Sequence, residues 1–269
     1  MNSQISILGT GWLGLPLATI LFQKGYRIKA STTTPEKLER LKKIGLQPYL
    51  LSLSEKKVDG NFSGFLRESE TLVVNIPPGL RSNPESNYVQ KIKNLVYYFK
   101  KSSVKNLIYI SSTSVFKDEE YFPIITEENL PNATSPSGKQ LIEAENLLLN
   151  LLGKNITILR FGGLYDKRRH PATMIAKKGI IPNPLAPLNL IHRKDCVGII
   201  SKILTLGKYN ITFNAAHPDH PKKKQYYQKV CKEMGLKIPI GEEKKSSIGK
   251  IIDSSFLVNQ LDYVFRNRL

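Results

Sequence analysis

Three glycines near the amino end, Gly9, Gly11 and Gly14, stand in the spacing GxGxxG, which suits one task above others: holding a diphosphate against the main chain. Gly9 lets a strand turn sharply, Gly11 removes a Cβ where the anion must approach, and Gly14 lets the next helix pack closely on the strand. Thr10, Trp12 and Leu13 complete the loop, and the free N–H groups at the helix start face the anion. A second group, Ser111, Ser112 and Thr113, crowds the end of an apolar run with small hydroxyls. A substrate carbonyl or alcohol would sit there beside a nicotinamide.

Residues so far apart in the chain need a scaffold that gathers them. Ile5 to Leu8 is an apolar strand leading into the glycine turn, and Leu15, Ala18, Leu21 and Phe22 mark one face of the following helix. Tyr26 to Thr32 reads as a second strand, and Pro35 to Ile44 as a helix capped by Thr34 with proline in its first turn. Thr71 to Ile76 is a third strand, Asn87 to Lys101 a helix, Asn106 to Ile110 a strand, Ser137 to Leu152 a long helix and Ile156 to Phe161 another strand. This alternation predicts an α/β fold: a doubly wound parallel sheet of Rossmann type with right-handed crossovers.

In such a sheet the ligand lies beyond the carboxyl ends of the strands. The exit VVNIPPG therefore makes Asn75, Ile76, Pro77 and Pro78 candidates for lining the cofactor cleft, with a purely structural strand end as the alternative. At the end of the second strand an acidic side chain would bond the adenosine ribose, but Ala30 to Thr34 supplies none before Glu36. Thr32 and Thr33, with Lys37 and Arg40 nearby, suit a 2′-phosphate, so NADP is preferred over NAD.

Composition sets the surroundings. A chain of 269 residues buries a full core, and its formal charge of +18 would attract phosphates or nucleic acid. The lysines are nevertheless spread along the chain, with only short runs at Lys222 to Lys224 and at Lys244 and Lys245, and no nucleic-acid motif accompanies them. A solvated basic surface is expected, not a nucleic-acid partner. Cys196 and Cys231 read as packing residues, and His217 and His220 have no third ligand beside them, so no metal is expected. No apolar stretch has membrane-spanning length, and a strand starting directly after Met1 leaves no room for a leader; the expectation is a soluble, cytoplasmic protein.

The ordered segments SSTSVF (111–116), SPSGKQLIEAENLL (135–148), ILRFGGLYDKRRHP (158–171) and NLIHRKDCVGII (189–200) resemble the short-chain dehydrogenase/reductase superfamily, in particular its extended, epimerase/dehydratase-like members. GTGWLGLPLA and IPPG are similar to an atypical, YeeZ-like branch. The resemblance implies that Ser112 holds the substrate oxygen and that Lys139 fixes the nicotinamide ribose. It also implies a tyrosine four residues before that lysine, where this chain has Ser135. A serine has no comparable acidity, so the usual proton transfer lacks its group. Tyr121, Tyr165 and His192 are the replacements in reach of the cleft-facing loops.

Residues 1–165 are then the dinucleotide-binding core and 166–269 a small substrate lobe interleaved with the last core elements. Lys167, Arg168, Arg169 and His170 suit a phosphate or carboxylate, and Thr113 and His192 join Arg168 and Arg169 as substrate-side residues. Asp195 is read as the cap of a helix Cys196 to Leu206, Pro221 to Met234 as a basic helix stopped by Gly235, and Ser254 to Leu269 as a last helix. Phe256, Leu257, Leu261, Val264 and Phe265 would pack that helix on the body or serve a homodimer. Two functions stay open: an NAD(P)-dependent oxidoreductase or epimerase acting on an alcohol or ketone carbon of a polar, phosphorylated or nucleotide-linked small molecule, or a dinucleotide-binding regulatory protein without turnover.

Overall fold

Apolar runs too short for helices and buried on both faces form the centre of the molecule, in a computed structural model that describes residues 3–80, 83–243 and 246–269. The Lys244 and Lys245 pair lies outside the described residues. Seven parallel strands are β1 (Gln4–Leu8), β2 (Arg27–Thr32), β3 (Gln47–Leu50), β4 (Thr71–Val74), β5 (Asn106–Ser112), β6 (Asn155–Phe161) and β7 (Thr212–Ala215). Their spatial order is β7-β6-β5-β4-β1-β2-β3. The order reverses at β1, which pairs with β2 on one side and β4 on the other.

Alternation along the strands feeds two cores. Ile5, Ile7, Val73, Ile108 and Phe213 pack with α1 (Gly14–Gln23), α2 (Lys37–Lys43), α7 (Arg193–Leu206) and α9 (Ser255–Leu261). Leu8, Leu72, Val74, Leu107 and Tyr109 pack with α3 (Phe62–Leu66), α4 (Tyr88–Lys100) and α5 (Pro136–Leu149). A third cluster, around Tyr165, Ile181, Leu190, Tyr226 and Cys231, joins α6 (Pro171–Lys178) to α8 (Lys223–Glu233). Cys196 and Cys231 are buried free thiols. Among the described residues no helix is long and apolar enough to cross a membrane, and no cluster of three or more metal-ligating side chains occurs.

Several sequence expectations shift. Strand β3 is unanticipated because QPYL carries a proline, which an edge strand tolerates; the strand at Thr71 is consequently the fourth. In α1 the buried stripe is Gly14, Leu17, Ala18 and Leu21, while Phe22 lies 39% exposed. Helix α2 starts at Lys37 after Glu36 and has no side-chain cap, and Thr34, two residues before Glu36, instead donates its N–H to Thr32 Oγ1. Helix α7 starts at Arg193 and is capped by the His192 ring, whose Nδ1 accepts from the Lys194 N–H. Asp195 is therefore no cap. It is buried and accepts from the Tyr263 hydroxyl, the Arg266 N–H and Asn267 Nδ2, which ties the tail to the body. The last helix ends at Leu261, where Asp262 turns into the left-handed region at φ 46°. Leu257 and Leu261 are buried within the chain, whereas Phe256 and Val264 remain exposed.

Candidate functional site

The glycine turn leaves β1 at the point where the strand order reverses. Gly9 sits at φ +97°, and a Cβ there would come within 2.4 Å of the Asn75 carbonyl oxygen. A Cβ on Gly14 would fall 2.1 Å from the Gly9 carbonyl, whereas one on Gly11 would meet nothing within 4 Å. Two glycines thus answer to close packing and the middle one to open space. Ser31 and Asn75 lock the turn: the Gly9 N–H donates to Ser31 Oγ at 2.9 Å, Thr10 Oγ1 to the Ser31 carbonyl at 2.6 Å, and Asn75 Nδ2 to the Gly9 carbonyl at 2.9 Å. The first helical bond on the far side is Leu15 N–H to the Gly11 carbonyl. The intervening loop amides head a helix whose first turn offers free donors.

A cleft of about 290 Å³ opens here, lined by Gly9 to Gly11, Ser31 to Thr34, Lys37, Leu51 to Leu53, Asn75 to Pro77 and Lys91. It brings together most of the residues read from sequence for the cofactor: Gly9, Thr10, Gly11, Thr32, Thr33, Asn75, Ile76 and Pro77. Pro78, Trp12, Leu13, Gly14 and Lys139 do not line it; Leu13 is buried in the core and Trp12 turns toward Arg193. The lining contains two lysines and no carboxylate. Lys91 and Ser52 were missed by sequence reasoning, Ser52 because it follows the unrecognised strand β3.

At the end of β5 the hydroxyls are already engaged. Ser111 Oγ donates to Glu145 Oε1 at 2.5 Å, and Glu145 is paired with Arg160 at 2.7 Å, both nearly sealed from solvent. Half-buried Ser112 caps a single turn, Thr113–Val115, accepting from the N–H and the hydroxyl of Ser114. Thr113 is buried. The first turn of α5 packs on this segment, since a Cβ on Gly138 would lie 2.8 Å from the Ser114 carbonyl; Lys139, exposed, follows directly. Ser135 starts that helix, its Oγ accepting from the Gly138 N–H at 3.2 Å. Where a tyrosine was to be expected, the chain has a helix cap followed by Pro136.

The three proposed replacements differ. Tyr121 is 95% exposed on a left-handed backbone at φ 64°. Tyr165 is buried, donates its hydroxyl to the Arg268 carbonyl, and is pushed up to about 12 by burial and by Asp195. His192 caps α7 against the Tyr165 ring, and burial holds its pKa below the ordinary histidine value. Of the lobe residues, Arg169 lies 5.2 Å from the Trp12 ring, and the N–H groups of Arg168 and Arg169 both donate to Asp166. Arg193, which sequence reasoning passed over beside His192, sits 5.0 Å from the same ring on its own ion pair with Asp166.

A reversing parallel sheet with a glycine turn and an open cleft at its switch point defines a Rossmann-type α/β protein. Solved structures agree on the fold: the UDP-N-acetylglucosamine 4-epimerase of Bacillus cereus superposes with TM-score 0.79 at 17% identity, covering 99% of this chain and 92% of that one. MoeE5 in complex with UDP-glucose and NAD gives 0.78 at 16% identity over 100% and 95% of the two chains. A short-chain dehydrogenase/reductase superfamily protein from Agrobacterium tumefaciens with bound NAD gives 0.77 at 16% over 98% and 93%. No family model matches the chain. Protein YeeZ of Escherichia coli K12 is 32% identical over 266 residues, 98% of this chain and 96% of its own length. The chain belongs to the YeeZ family, with the fold of the epimerase and short-chain dehydrogenase/reductase proteins.

Proposed function

We propose that the protein binds a nicotinamide dinucleotide at the glycine turn and uses it to oxidise, reduce or epimerise an alcohol or ketone carbon of a polar, nucleotide-sugar-like small molecule. The observation that carries this reading is the open space before Gly11, over the carboxyl ends of β1 and β4, beside unpaired amides at the start of α1. The solved proteins of like fold that are described with NAD and UDP-sugars support it. When bound, the dinucleotide supplies or accepts the hydride.

The chain's own groups do the rest. Thr32, Thr33 and Lys37 face the far end of the cleft, and with no carboxylate in the lining they favour NADP over NAD. Lys139 holds ribose hydroxyls. Ser112 still has its own O–H to donate, because Ser114 uses only its lone pairs, and so orients the substrate oxygen. Arg168, Thr113 and His192 line the substrate side. Ser135 moves no proton, and the Tyr121 hydroxyl is assigned that part. Calorimetric titration with NADP and NAD tests the binding. Submicromolar to micromolar affinity with NADP ahead, and a Lys37→Gln variant that loses affinity for NADP alone, is the expected result; heat from neither coenzyme overturns the proposal.

One observation favours a second reading: the tyrosine position is occupied by a helix cap. Binding without turnover would follow. Coenzyme reduction in a screen of nucleotide sugars, abolished by Ser112→Ala, decides for the enzyme; tight coenzyme binding with no turnover of any compound decides for the regulatory protein.

A further inference from the structure

Trp12 belongs to the glycine loop, yet its indole is held by the lobe. Arg193 Nη1 donates to the Trp12 carbonyl at 3.3 Å while its guanidinium stacks 5.0 Å from the ring, and Arg193 Nη2 is paired with Asp166 Oδ2 at 2.9 Å. Arg169 stacks 5.2 Å from the same ring and makes no ion pair among the described residues. Burial alone would raise the Asp166 carboxyl, but the N–H groups of Arg169 and Arg168, with the Arg193 charge, hold it below the usual range. The indole Nε1–H is buried and points toward that carboxylate, beyond good hydrogen-bond geometry but close enough to favour its charged form. Two guanidiniums are thereby set against the loop whose amides await an anion.

A guanidinium has five N–H donors, of which Arg193 uses two here, and the exposed Arg169, stacked on Trp12, donates none of its five among the described residues. The segments 166–169 and 193–195 bring five cations, Lys167, Arg168, Arg169, Arg193 and Lys194, against Asp166 and the tail-bound Asp195. We propose that Arg193 and Arg169 bind the dinucleotide's diphosphate from the lobe side, completing the site that the glycine turn begins and coupling coenzyme binding to the position of the substrate loop. This rests on the coenzyme reading above. A diphosphate could also come from a nucleotide-linked substrate. The bond from Arg193 to the Trp12 carbonyl holds the charge on the glycine loop itself, although neither arginine lines the cleft beside Ser31 and Asn75.

The test is calorimetry of the full chain with ADP-ribose, and separately with UDP, on wild type, Arg169→Gln, Arg193→Gln and Arg193→Lys. Each glutamine variant is expected to weaken ADP-ribose about tenfold, as befits one lost charge-assisted contact, with the lysine variant intermediate and UDP unaffected. Arg193→Gln also breaks the Asp166 pair and could loosen the lobe, so the exposed Arg169→Gln, checked by an unchanged melting temperature, carries the test if Arg193→Gln misfolds. Undiminished ADP-ribose binding by Arg169→Gln overturns the assignment, as does a loss confined to UDP. No ADP-ribose binding by wild type overturns both this inference and the coenzyme reading, whereas wild-type binding with insensitive variants overturns only the arginines' role.

Discussion

The glycine turn and the serine cluster at the end of β5 are built from opposite materials. At the glycine turn the important positions carry no side chain at all: Gly9 and Gly14 are forced by contacts at 2.4 and 2.1 Å, and the polar atoms of Ser31 and Asn75 serve to fix the main chain. At the serine end every position that would do chemistry in a dehydrogenase carries a side chain, and much of that set serves the scaffold. Ser111 lies on Glu145, Ser112 caps a turn and Ser135 caps α5. Shape made by main chain survives a change of chemistry, whereas a side chain that starts a helix is not also poised to pass a proton. The glycine turn is therefore the more strongly encoded of the two regions.

The comparison breaks first at Glu145. Replacing it with alanine leaves Arg160 charged and buried, and a loss of about 3–5 kcal/mol is expected in urea unfolding. A small loss would mean that the serine end is not scaffold. Gly14→Ala tests the other end: the clash with the Gly9 carbonyl should cost about 1–3 kcal/mol and abolish coenzyme binding in the same titration. Retained affinity would show that the turn is not shaped by close packing. Ser135→Ala removes only a cap, for about 1 kcal/mol in the melting curve, and should leave the rate of any turnover unchanged. A fallen rate at unchanged coenzyme affinity would return Ser135 to the chemistry.

The smallest effect is one of pH. All four histidines lie between residues 170 and 220, and none lines the cleft at the glycine turn. Burial is the first cause lowering the pKa values of His170, His192 and His220. The unfolded chain then takes up protons before the folded one. Their stabilisation is complete above about 6.5, the ordinary histidine value, and is lost as the pH falls below it. Urea midpoints should drop modestly between about pH 8 and about pH 5.5, and His170→Gln should reduce that drop; a midpoint that rises toward acid contradicts the sign.

How far the sequence could be read follows the same division. The glycine turn, the strand exits at Thr32 and Asn75 and the sheet's parallel order were legible because local spacing and apolar alternation cause them. Strand β3 was not, since Pro48 suppresses the strand signal and only pairing with β2 makes the segment extended. Asp195 was misread because a carboxylate before an apolar run signals a cap, while its partners Tyr263, Arg266 and Asn267 lie at the far end of the chain. Arg193 and Trp12 meet across 181 residues of sequence, a contact no local pattern announces.

The chain contains one tryptophan, and it is the residue flanked by Arg169 and Arg193 on the glycine loop. Red-edge ultraviolet excitation consequently selects a single chromophore at the very place where occupancy is in question. Emission from the unlabelled native protein reports on that loop alone, against a silent background of twelve tyrosines.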